Sequence, residues 1–116
     1  DLADSDAYEL EGEHHYPDGL RRALRGRDPR SGISETAYFV HQPRNRHDRN
    51  AVVVNMKGPR GGLNPVGFIP GADAPRWIAA VERLEAGGRE ASCPATIYGT
   101  ADDPQVRLDI AGPEEL

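Results

Sequence analysis

Cysteine, lysine and long hydrophobic runs are scarce in this sequence, and each scarcity closes a class of explanation. The 116 residues contain a single cysteine, Cys93, which excludes an internal disulfide framework and any cysteine-based zinc cluster. No stretch approaches the ~18 consecutive apolar residues that span a bilayer. No apolar segment follows a basic N-terminus, so we expect no membrane partner and a cytoplasmic location. The chain does not begin with Met and reads as a domain of something longer. Catalytic signatures are missing as well. Gly58-Pro59-Arg60-Gly61-Gly62 lacks the Lys-Ser/Thr and the following helix of a phosphate-binding loop, and no Gly-x-Ser-x-Gly elbow is present. An enzyme and a resident cofactor are therefore not expected.

What is present is arginine in one place. The net charge is −5, with 14 Lys+Arg against 19 Asp+Glu, and Lys57 is the only base that is not Arg. The first twenty residues hold acids and no base. Residues 21–60 are strongly basic despite Asp28, Glu35 and Asp48, and the remainder is acidic again. A codon bias toward Arg, Ala, Gly and Pro would also enrich arginine. However, guanidinium groups pair phosphates bidentately and stack on bases, as lysine does not.

The pattern along the chain is that of a mainly β protein. Residues 1–6 read as a flexible lead-in. Tyr8 to Gly12 alternates like a half-exposed strand, and a short helix follows Pro17 over about 18–25. Arg25 to Gly32 reads as a mobile basic loop. Thr36 to His41, Ala51 to Met56 and Val66 to Ile69 are β-prone. A clear helix over about 74–86 has Asp73 as its cap, Pro75 in its first turn, and one stripe of Trp77, Ile78, Val81 and Leu84. Ala95 to Tyr98 and Val106 to Ile110 are the last strands, with 111–116 as a tail. Six short strands and two helices in this order suggest a mainly β, small, partly open barrel, with residues 1–116 as one domain.

The four histidines (His14, His15, His41, His47) and Cys93 match no metal-ligand spacing. His14 and His15 would point to opposite faces of a strand. We expect no metal. The densest polar segment is Gln42 to Asn50, between two apolar strands. Asn and Asp there can fold back on their own backbone to shape a loop. Alternatively, Arg44, Arg46 and Arg49 neutralise phosphates while His47 stacks on a base. Asp48 among them suits a neutral donor such as a terminal sugar hydroxyl, and repels a phosphorylated end.

Three motifs in order resemble the HIRAN domain family. These are Gly12-Glu13-His14-His15-Tyr16, then Pro43-Arg44-Asn45-Arg46-His47-Asp48-Arg49-Asn50-Ala51-Val52-Val53-Val54, then Val66-Gly67-Phe68-Ile69-Pro70 before a helix. The resemblance runs from about Tyr8 to Ile110. It implies a modified OB-like barrel of the kind that, in fork-remodelling helicases of DNA repair, binds the free 3′-hydroxyl end of single-stranded DNA. Bacterial members stand alone or beside other domains. On that resemblance Asp48 accepts from the 3′-hydroxyl, and His47 stacks on the terminal base. His15 and Tyr16 hold the end nucleotides, and Tyr98 lies near a further pocket aromatic. Histidine stands at 47 and 15 where the family usually has Tyr, offering less stacking area. Because Val52, Val53 and Val54 are apolar, phosphate contacts fall to Arg44, Arg46, Arg49 or Lys57.

The expected function is thus a non-enzymatic binder of single-stranded DNA ends. The alternatives are a protein–protein interaction module, or an accessory domain of a larger DNA-processing or hydrolase protein that binds no DNA end itself.

Overall fold

A computed structural model describes residues 7–46 and 48–116; the expected lead-in at 1–6 and His47 lie outside the described residues. Strands β1 (Tyr8–Glu9), β2 (Ile33–Gln42), β3 (Ala51–Lys57), β4 (Leu63–Phe68), β5 (Ser92–Gly99) and β6 (Pro104–Leu108) form one antiparallel sheet in the order β1-β6-β5-β2-β3-β4. Helix α1 (Pro17–Leu24) joins β1 to β2, and α2 (Ala74–Ala86) joins β4 to β5. The sheet curls into a half-barrel. Its two edges meet where the backbone of Glu11 exchanges both hydrogen bonds with that of Phe68, at 2.9 and 3.0 Å. A mainly β barrel is what the alternating runs predicted, and its OB-like form is what the resemblance implied.

The three consecutive valines show how this fold uses its sequence. Side chains alternate along a strand, so Val52, Val54 and Met56 are buried in the core with Ala37, Phe39 and Trp77. Val53 points the other way, between Val40 and Phe68 on the neighbouring strands. Pro65 cannot donate to a ladder, and it sits in β4 beside a register shift at Val54/Asn55, where strand prolines are tolerated. Its carbonyl lies so close to Gly19 of α1 that a Cβ there would come within 1.8 Å. Glycine is what lets α1 settle on β4.

Several expectations change in the folded chain. The first strand shrinks to Tyr8–Glu9. Glu13–His15 forms a 3-10 turn instead of continuing it, so His14 and His15 do not oppose each other and their rings are 4.1 Å apart. Asp73 does not cap α2 with its side chain. Its backbone is already helical, and its carboxylate accepts from the Tyr8 hydroxyl instead. Burial, then this carboxylate, pushes the Tyr8 phenol far above its ordinary range. Trp77 is fully buried, stacked on Phe39 and edge-on to Tyr8, with centroids at 5.2 and 5.0 Å.

The basic loop at 25–32 is pinned. Arg27 donates to the Ala23 and Leu24 carbonyls and pairs with Glu35 at 2.6 Å. Asp28 accepts from the Arg30 N–H, and Pro29 is buried. The segment expected as a tail docks too, since Pro113–Glu115 turns against α2 with Pro113 buried and Leu116 packs on the core. No helix is long and apolar enough to cross a membrane among the described residues.

Candidate functional site

The loop between β2 and β3 is built by its own polar side chains. Asn45 Nδ2 donates to Gln42 Oε1 at 3.0 Å, and Asn45 Oδ1 accepts from the Asp48 N–H at 3.1 Å. Asp48 Oδ1 then accepts from the Asn50 N–H at 2.8 Å, while the Asp48 carbonyl accepts from Ala51 N–H. His41 Nε2 lies 3.0 Å from the Arg49 carbonyl oxygen, and its Nδ1 lies 3.6 Å from Glu82 Oε1. The loop is therefore held from within by Asx turns and from beneath by His41, next to α2.

Asp48 is exposed, and only Oδ1 is committed to the loop; Oδ2 accepts from none of the described residues. The carboxylate stands at an open cleft of about 530 Å³ with His15, Tyr16 and Asn45. Ala51, Val53, Phe68, Ile69 and Gly71 complete the walls. The ring planes of His15 and Phe68 are inclined by 25°, with centroids 6.5 Å apart. Gly12 sets this geometry. Its φ of +75° is open to glycine and starts the turn that carries His15. A Cβ at Gly12 would fall 1.9 Å from the Phe68 ring. The cleft thus has an apolar floor, aromatic walls and an acceptor on its rim, the features of a small-ligand or base-sized site.

The sequence-derived site residues separate into groups. Asp48, Tyr16 and His15 share the cleft. Arg44, Arg46 and Arg49 are exposed on the adjoining loop and pair with no acid among the described residues. By contrast Arg21, Arg25, Arg27 and Arg30 all face Asp18, Glu35 or Asp28 within 4.0 Å. Lys57 is not in this site. It ends β3, six residues from Ala51 and so ~20 Å away at ~3.3 Å per residue, with Nζ over the Tyr38 ring. Tyr98 is not there either. Its hydroxyl donates to Glu9 Oε2 at 2.6 Å on the β1–β6–β5 side of the sheet. Burial, then this carboxylate, raises its pKa to about 12.

Phe68, Asn45 and Val53 were missed as site residues. Phe68 stands in the third quoted motif and was within reach. Val53 was not, because nothing in a run of valines tells which one faces outward. No three His, Cys, Asp or Glu side chains gather as a metal site would need, among the described residues. Cys93 is buried and its thiol is pushed up to about 12, by burial first and then by Asp109. Comparison with protein-family models, curated proteins and solved structures finds no match.

Proposed function

We propose that this chain is a HIRAN-like, non-enzymatic module that binds the free 3′-hydroxyl end of single-stranded DNA. One observation carries the reading: among the described residues, Asp48 keeps an uncommitted carboxylate oxygen at a cleft walled by Tyr16, His15 and Phe68, beside three arginines without acidic partners. The terminal base stacks between the rings, where aromatic contacts are worth ~1–3 kcal/mol per base. Asp48 Oδ2 accepts from the terminal hydroxyl, and the loop arginines hold the flanking phosphates. A 3′-phosphate is rejected because it brings a second anion against Asp48.

A fluorescence titration tests this with one short strand carrying either a 3′-hydroxyl or a 3′-phosphate, and with duplex DNA. The hydroxyl form binds tightest. Asp48→Asn keeps an oxygen for the Asn50 N–H but loses the charge, so it folds, binds about tenfold weaker, and discriminates less against the phosphate. Equal binding of all three ligands would sink the reading.

A further inference from the structure

At the far end of the β3–β4 hairpin lies a second open cleft, of about 350 Å³, formed by Arg22 of α1, the turn at Gly58, Pro59, Arg60 and Gly62, and Asn64 of β4. Arg22 Nη1 donates to Asn64 Oδ1 at 3.3 Å, and Asn64 Nδ2 donates to the Gly62 carbonyl at 3.0 Å. The guanidinium is thereby aimed while most of its five N–H donors stay unspent. The Arg60 side chain pairs with no described residue. Among the described residues no acid lines the cleft. Gly61 and Gly62 leave it open, since a Cβ at either would meet nothing within 4 Å.

We infer that this cleft is a second phosphate-binding point, taking the backbone of the strand whose 3′ end occupies the Asp48 cleft; the inference rests on the function proposed above. Two features set the direction of the strand. Helix α1 runs from one cleft to the other, because Tyr16 precedes its first turn and lines the first site while Arg22 lines the second. The route past the β5–β6 turn is less favourable to phosphate, because Glu13, Asp102 and Asp103 line the cleft there and its arginine, Arg21, is already paired with Asp18. The ~20 Å between the two ends of β3 spans several nucleotides, in keeping with the ~4–16-nucleotide sites of OB folds. The ligand is then a single-stranded segment of minimum length, not an isolated end.

The experiment compares a dinucleotide with oligothymidylates up to about eight nucleotides, each with a 3′-hydroxyl or a 3′-phosphate. It uses the wild-type chain and an Arg22→Gln, Arg60→Gln double variant, both positions being exposed. Wild-type affinity rises about tenfold with length and then levels off. In the double variant that rise disappears, while dinucleotide binding is unchanged. A rise that survives the double substitution overturns the second phosphate point, as does affinity that never depends on length. Loss of 3′-hydroxyl preference overturns the end-binding reading alone, provided the Arg22 and Arg60 dependence on length remains. Absence of binding to every oligonucleotide overturns both.

Discussion

The two oxygens of Asp48 face different tasks, one closing its own loop on Asn50 and the other left at the cleft. Loop-shaping and ligand-binding readings of this residue are therefore compatible. Tyr98 shows the opposite outcome, an aromatic placed near the pocket by resemblance that instead ties β5 to β1 through Glu9. This bond has a pH signature. The Tyr98 pKa is about 12 in the folded chain and about 10 when unfolded, so the folded state holds the proton more tightly. Its stabilising contribution is complete below pH ~10 and is lost as the pH rises through ~12. Denaturant melts across that window should show stability falling less steeply in Tyr98→Phe than in the wild type. Parallel curves would mean that neither burial of the phenol nor its bond to Glu9 makes stability depend on pH there.

Glycines and turns, more than the strands, place the walls of the cleft. The strands were legible from alternation and β-branching, and α2 from its stripe and Pro75. The 3-10 turn at Glu13–His15 was not, because a short polar run gives no period to read. It exists because Gly12 takes a left-handed conformation and the Glu11–Phe68 bridge closes the barrel beside it. Gly12→Ala adds a residue that resists positive φ by ~1–2 kcal/mol and drives Phe68 out of place. We expect a loss of stability of about 1–3 kcal/mol in chemical denaturation, with weakened single-strand binding at temperatures where the variant stays folded. A variant as stable as wild type would show that Phe68 yields freely and does not depend on Gly12.

Over the whole molecule the net charge of −5 describes the surface poorly. Folding pairs Arg21, Arg25, Arg27 and Arg30 with nearby acids and leaves Arg44, Arg46 and Arg49 without acidic partners among the described residues. A ligand senses charge within about 8–10 Å at physiological salt, so the cleft loop acts as basic on an acidic body. If about three phosphates are held, log Kobs for a single strand should fall against log salt with a slope near −2, at about −0.7 per phosphate. A slope near zero would leave the arginines without a role in binding. The sequence by itself determined the β class, the element order, both helices and the polar loop with Asp48, since these follow from local periodicity and turn chemistry. Only the tertiary structure decided that Tyr16, His15, Phe68 and Val53 meet at Asp48 while Tyr98 and Lys57 lie elsewhere. That outcome depends on which strand edges pair and how the sheet curls, relations between distant segments that no local pattern encodes.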